Sequence, residues 1–422
     1  VVAVLNLALV LFLDAIKLRF DGPRNEWMVP VLALGPGSIL IMALVALSAW
    51  LLLRVPPLEA MMIGAILAST DPIVLRDLLR DRRIPQSIRQ ALAVEGGTND
   101  LVVLPTLLVL IAIAVGRVGG GGAWAWFLFS LFVIGPAIGF AVGGIGAWLV
   151  ARADQRYQVR REYQTLYGIG IVFVAYSVAQ FAGGDGFLAA FAAGVAVTVL
   201  NLELCDCFYE YGEATAEMAM LFAFVMFGAV LSQLILTVPL GATLALAGLV
   251  LVVIRPSVIG LVLWRADVSR SARAFIGWFG PRGLNSLLLA LLCLRAGVPY
   301  AEHILAIVGT VVTVSVIVHG ISVTPLSTWY AKRVLRETLP EEREPTAAGL
   351  FGEDAEVPKI SIDELAQLLA GDTPPIVLDV RSRSDLNKEP ARIPASVRVQ
   401  PDEIKAWAER EHPARPVVTY CG

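Results

Sequence analysis

The sequence predicts an all-α polytopic membrane bundle followed by a small α/β tail. Three observations carry that prediction. The chain is 57% hydrophobic and only 16% charged, with a mean hydropathy of +0.72, whereas a soluble globular chain carries about a quarter charged residues. Apolar windows of membrane-crossing length recur about eleven times. After about Leu335 the composition turns charged and Pro-containing, and short mixed elements follow.

The apolar windows fall at about 1–16, 30–53, 57–80, 90–115, 124–150, 165–182, 186–200, 214–235, 239–264, 270–297 and 303–329. They are too long and too uniformly apolar for strands, and only helices satisfy their own backbone in lipid. Alternate loops are basic: Lys17, Arg19 and Arg24, then Arg80, Arg82, Arg83 and Arg89, then Arg152, Arg156, Arg160 and Arg161. Arg265, Arg270 and Arg273 continue the set, and Lys332, Arg333 and Arg336 close it. The positive-inside rule makes these loops, and the tail behind them, cytoplasmic. The loop at 201–213 is acidic and is the one departure. A net charge of −3 is split between loops, and no nucleic-acid partner is expected. Cys205, Cys207, Cys293 and Cys421 have neither metal-pair spacing nor a disulfide pattern. Val1 opens inside an apolar run and the chain stops abruptly at Gly422, just after Cys421, so both ends read as cut.

Two windows are interrupted. Ser69-Thr70-Asp71-Pro72 breaks 57–80, and Gly280-Pro281-Arg282-Gly283 breaks 270–297. Proline removes a donor and ends the preceding turn, which leaves half-helix ends free to meet ions. The second break lies fifth in the last six windows. The first would lie fifth of six if two helices preceded Val1, which describes inverted repeats of about thirteen spans in a complete fold.

Charge at membrane depth is the most informative feature. A carboxylate there costs about 3 kcal/mol on insertion scales, yet the chain keeps Asp71, Glu95 and Asp100. Glu95 and Asn99 share a helix face and Asp100 lies about 100° further round. Glu95 is therefore expected to pair with Arg282, while Asp100 stays unpaired and holds either a proton or a cation. Oxygen atoms of Asp100, Asp71 and Thr70 suit a hard cation. Asp71 can equally cap the second half of its own broken helix. Asp14 is open between a solvated helix end and a place on the ion path. Arg255, next to Pro256, reads as an anchor or kink, and His319 as a packed histidine.

Over about residues 1–335 these residues resemble the NhaP/NHE-type monovalent cation/proton antiporters. The resemblance rests on Thr70-Asp71-Pro72, on Glu95 followed by Asn99-Asp100, and on Phe279-Gly280-Pro281-Arg282-Gly283. It implies the electroneutral Asn-Asp branch, exchanging Na+ (or K+ or Li+) for H+ by alternating access. Asp100 would be the exchanging carboxylate, and Asp71, Thr70 and Asp14 would stand beside it in the cation site. Glu95 and Arg282 would form the buried ion pair, and Asn99 would support them. A homodimer in the inner membrane is implied as well, with no cofactor and no tightly bound metal. Phe12-Leu13-Asp14 departs from the family's Phe-Glu step, and Gly96 stands where some members have a ligating serine.

The tail divides into a linker at 336–357 and an α/β unit at 358–422. Helices are expected at Ile360–Leu369 and Pro401–Glu411, and strands at Ile376–Val380 and Val417–Tyr420. A thiol at a strand end such as Cys421 is placed for reactivity. Through Asp379-Val380-Arg381, Ile393-Pro394-Ala395 and the strand leading to Cys421, this unit resembles a rhodanese domain, cut before its active-site loop closes. The expectation is therefore a secondary transporter and not an enzyme. A membrane-anchored sulfurtransferase and a passive cation channel are the competing readings.

Overall fold

The structure is a computed structural model that describes residues 2–16, 33–71, 75–81, 83–116, 118–157, 160–200, 206–264, 268–336, 360–371, 374–381, 383–388, 390–400, 403–411 and 415–420. Thirteen helices are described before the tail. In order they are α1 (Val2–Ile16), α2 (Gly35–Leu53), α3 (Pro57–Ala68), α4 (Arg76–Arg80), α5 (Ser87–Ala114), α6 (Gly121–Tyr157) and α7 (Arg161–Phe181). They continue as α8 (Gly186–Val199), α9 (Asp206–Leu234), α10 (Leu240–Val262), α11 (Arg270–Trp278), α12 (Leu284–Arg295) and α13 (Ala301–Val334). Five of these (α2, α5, α6, α10 and α13) are long and apolar enough to cross a membrane, and six shorter apolar helices accompany them. The eleven windows thus reappear as apolar helices, but only five have full crossing length. The shortening is plainest at the breaks, where one window is divided between two helices.

Packing divides the chain into two compact units. The first comprises Val1–Leu75, Leu92–Val262 and Gly277–Gly320; the second comprises Arg76–Ala91, Leu263–Ile276 and Ile321–Gly422. The first unit holds one continuous apolar core running through α1, α3, α8, α12 and α13. Its tightest contact joins α6 to α8. Gly135, Gly139 and Gly143 recur every fourth residue on α6, and a side chain at any of them would strike the backbone of Asp185, Ala189 or Ala193. Small residues at that spacing let two backbones meet, which is how helices associate when lipid removes the hydrophobic drive. Asp185 starts α8 as its cap, accepting from the amides of Phe187 and Leu188 at 3.0 and 2.9 Å.

Three helices contain a π-helical turn beside a proline: Ala33–Gly37 includes Pro36, Ser130–Ile134 precedes Pro136, and Leu249–Ile254 precedes Pro256. A proline lacks the amide its turn requires and crowds the carbonyl four residues back. A widened turn relieves both without ending the helix.

In the second unit, Phe275 stacks on Tyr330 with ring centroids 4.5 Å apart. Its tail is a small α/β unit: α14 (Ile362–Leu369), β1 (Ile376–Asp379), α15 (Arg383–Lys388), β2 (Val397–Arg398), α16 (Ile404–Glu411) and β3 (Val417–Tyr420). The strands pair in parallel in the order β2-β1-β3. Ser361 and Glu364 close a reciprocal cap at the start of α14. Within the tail, α15 and β2 were not foreseen; both are too short to carry a period. The linker at 336–357 lies, apart from Arg336, outside the described residues, as does Cys421.

Candidate functional site: a crossing of two interrupted helices

α3 ends at Ala68 because Ser69 is extended, with φ −60° and ψ 133°. Helix also stops after Trp278 and resumes at Leu284. The two interruptions meet. The Asp71 amide donates to the Pro281 carbonyl at 2.9 Å, and the Leu284 amide donates to Asp71 Oδ2 at 2.7 Å. Each half-helix end carries its complement. The positive N-terminus of α12 receives the Asp71 carboxylate, and the carbonyl end of α3 receives the Arg282 guanidinium. Arg282 Nη1 donates to the Ala68 and Ser69 carbonyls at 2.6 and 2.9 Å. Gly283 is required here, because a Cβ at that position would collide with the Asp71 carboxylate. Asp71 therefore caps α12, the second half of the other interrupted helix.

The expected Glu95–Arg282 ion pair is corrected. Glu95 pairs with Arg255, whose two terminal nitrogens reach its carboxylate oxygens at 2.7 and 3.1 Å. Both side chains are buried, and Arg255 Nη2 also donates to the Phe279 carbonyl at 3.2 Å. Among the described residues, two arginines, Arg255 and Arg282, are fully buried in the bundle, and the π turn before Pro256 lets α10 continue with Arg255 facing inward. Beyond the anchor or kink expected of it, Arg255 is the partner of Glu95. Arg282 sits fully buried against carbonyls, and its Nε and Nη2 have no hydrogen-bond partner among the described residues.

Asp100 is 2% exposed. Its carboxylate accepts from the Ser69 hydroxyl at 2.7 Å and from Asn285 Nδ2 at 3.0 Å. Among the described residues no guanidinium, ammonium or imidazole forms a salt bridge with it. Asn99 ties the neighbouring elements together. Its Nδ2 donates to the Ala68 carbonyl at 2.8 Å and to Thr70 Oγ1 at 3.4 Å, and its Oδ1 accepts from Ser38 at 3.1 Å. A narrow recess beside this network is lined by Thr70, Asp71, Glu95, Gly96, Arg255 and Phe279. Asp14 is 3% exposed, and its side chain lies 3.5 Å from where a Cβ on Gly97 would stand. It is therefore not a solvated helix end. His319 is packed as expected, between the Ser315 carbonyl at 2.8 Å and the Trp278 carbonyl at 3.0 Å.

The structure thus gathers Thr70, Asp71, Glu95, Asn99, Asp100 and Arg282 at one crossing. Sequence reasoning missed Ser38, Ser69, Asn285 and the role of Arg255. A serine or asparagine in an apolar helix looks like packing. Only Ser69, immediately before Thr70-Asp71, carried a local hint. No cluster of three or more metal-ligating side chains occurs among the described residues.

A K(+)/H(+) antiporter NhaP of Alkalimonas amylolytica is 26% identical over 344 residues, covering 80% of this chain and 57% of the relative. A Na(+)/H(+) antiporter NhaG of Bacillus atrophaeus is 24% identical, covering 74% of this chain and 60% of the relative. The chain thus spans just under six tenths of the length of the curated relatives it matches. The sodium proton antiporter MjNhaP1 of Methanocaldococcus jannaschii shares the fold at a TM-score of 0.61 and 17% identity, over 78% of this chain and 83% of that one. The sequence pattern described as sodium/hydrogen exchanger, transmembrane, matches residues 1–329, and the chain belongs to that family.

Proposed function

We propose that residues 1–335 form the transport domain of a secondary active antiporter that exchanges K+, Na+ or Li+ for H+ electroneutrally by alternating access. The supporting observation is the division of labour between two carboxylates. Glu95 is taken by Arg255, whereas Asp100, equally buried, is held among the described residues by a hydroxyl and an amide. A buried carboxylate without a cation is stable only as the neutral acid or with a metal ion beside it. Exchange then balances simply. Protonated Asp100 releases its proton to one side as a cation from that side takes its place, and the reverse happens at the other side. One charge moves each way. Thr70 and Asp14 supply further oxygens near the path, while Asp71 holds the crossing together. The relatives named as K(+)/H(+) and Na(+)/H(+) antiporters put both ions among the first to test.

The same reading makes the two interrupted helices counterparts in inverted repeats, the protein a multi-pass homodimer of the inner membrane, and the tail cytoplasmic. We read 336–357 as a linker and the parallel α/β unit beyond it as a rhodanese-like domain with Cys421 as its thiol. Thiosulfate:cyanide sulfurtransfer lost in Cys421→Ser would establish that added activity.

Inverted membrane vesicles with a pH-sensitive dye test the main reading. Addition of K+, Na+ or Li+ is expected to dequench the dye, and Asp100→Asn is expected to abolish the response. Full exchange by Asp100→Asn, or cation flux without proton movement, would overturn the mechanism; the latter result would favour a channel.

A further inference from the structure

Asn285 lies one residue into α12, immediately after the amide that binds Asp71. It is 1% exposed. Its Nδ2 is committed to Asp100 Oδ2 at 3.0 Å. Its carbonyl oxygen is buried with no hydrogen-bond partner among the described residues. Buried polar atoms are nearly always satisfied, so an acceptor left open beside an exchanging carboxylate calls for an explanation. The amide's two polar atoms branch from one carbon, so Oδ1 stands one bond angle from the nitrogen that touches the carboxylate, close enough to share a cation bound beside it. An unused oxygen there is what a dehydrated monovalent cation, or the hydrogen of a protonated carboxyl, lacks.

We propose that Asn285 is a further residue of the exchange site: its Nδ2 holds the Asp100 carboxylate, and its carbonyl oxygen ligates the bound monovalent cation. In the proton-loaded form the same oxygen accepts the hydrogen of the Asp100 carboxyl. A carboxyl O–H and a metal ion both seek a lone pair, and the amide oxygen serves either because it has two to offer. The ligand set is then Asp100, Asn285 and the Ser69 hydroxyl, all oxygen, which suits a hard cation. Ser69 and Asn285 come from the two interrupted segments, so relative movement of those segments would change the cation's coordination.

This inference rests on the exchange reading, but its test separates the two. Purified full-length protein in detergent is titrated with KCl, NaCl or LiCl against choline chloride, and cation binding is read as a rise in unfolding temperature. Vesicle exchange is measured in parallel. Asn285→Leu keeps the volume and removes both polar atoms. Its half-saturating cation concentration is expected to rise about tenfold or more, the order expected for a hydrogen bond to a charged group, and the ranking among the three ions is expected to change. Asn285→Ser, whose hydroxyl donates and accepts, is expected to recover part of that loss. Wild-type half-saturation and ion ranking in Asn285→Leu, with only the maximal rate lowered, would reduce Asn285 to packing and overturn the proposal. If Asn285→Leu cannot be recovered folded, Asn285→Ser decides, and unaltered cation dependence in it overturns the proposal. A wild-type protein that binds cation but does not exchange it sinks the antiport reading and leaves Asn285 to the binding data. One that binds none of the three ions sinks both.

Discussion

Glu95 and Asp100 lie five residues apart on one helix and are held by different kinds of neighbour. Glu95 meets a guanidinium with both oxygens, which fixes it as a structural charge. Removing one partner of such a buried pair leaves the other uncompensated, at about 3–5 kcal/mol. Arg255→Ala and Glu95→Gln are therefore expected to lose that much stability, read as a lowered unfolding temperature in detergent or failed insertion. The double variant is expected to cost less than the sum of the singles. Additive losses would show that the pair is not coupled. Arg282→Ala is expected to act differently, freeing the Ala68 and Ser69 carbonyls and loosening the crossing while the Glu95 pair survives. Infrared spectra of the amide carbonyls, with 13C at Ala68, would report the change directly.

At the scale of elements, close approach and proline placement decide what each helix can do. Gly139 meets the backbone of Ala189 with no room for a side chain. Gly139→Val is expected to force α6 from α8 and to destabilise the bundle by at least about 3 kcal/mol, the upper end of ordinary overpacking costs. Gly170, with open space around it, is the control and is expected to tolerate alanine. Thermal unfolding of the two variants side by side checks both expectations. The breaks at 69–71 and 279–283 were legible because Asp-Pro and Gly-Pro-Arg-Gly leave the chain no regular helical course. The π turns were not, since Pro36, Pro136 and Pro256 look the same in sequence whether a helix ends or widens. That ambiguity hid the partner of Glu95: a helix that anchors or kinks at Arg255-Pro256 presents no particular face there.

At the scale of the whole molecule, the chain joins an apolar bundle to a tail that follows soluble rules. In the tail, Arg381 binds Asp379 with two nitrogens at 3.0 and 2.8 Å. Burial pulls the Asp379 carboxyl up, but the Arg381 hydrogen bonds outweigh it and hold the group at about 2. An unfolded aspartate titrates near 3.9. The stabilisation is then complete above about pH 4 and is lost as pH falls toward 2. Hydrogen exchange at the β1 amides is expected to quicken across that window. In Arg381→Ala it should already be fast at neutral pH, while the amides of α12 are unchanged. Protection of β1 that is indifferent to Arg381 would contradict the assignment.

Composition, loop charge and the period of apolar windows were enough to determine a helical membrane bundle, its two broken helices, the small α/β tail and the short roster of charged residues at depth. These are properties of the chain as a solute, set by what lipid will accept. Which arginine neutralises which carboxylate, which half-helix Asp71 caps, and that Ser69 and Asn285 hold Asp100 were decided only by the tertiary structure. Such partners lie 31 to 213 residues apart, and a pairing across that distance is chosen by where packed helices bring side chains, which no local pattern records.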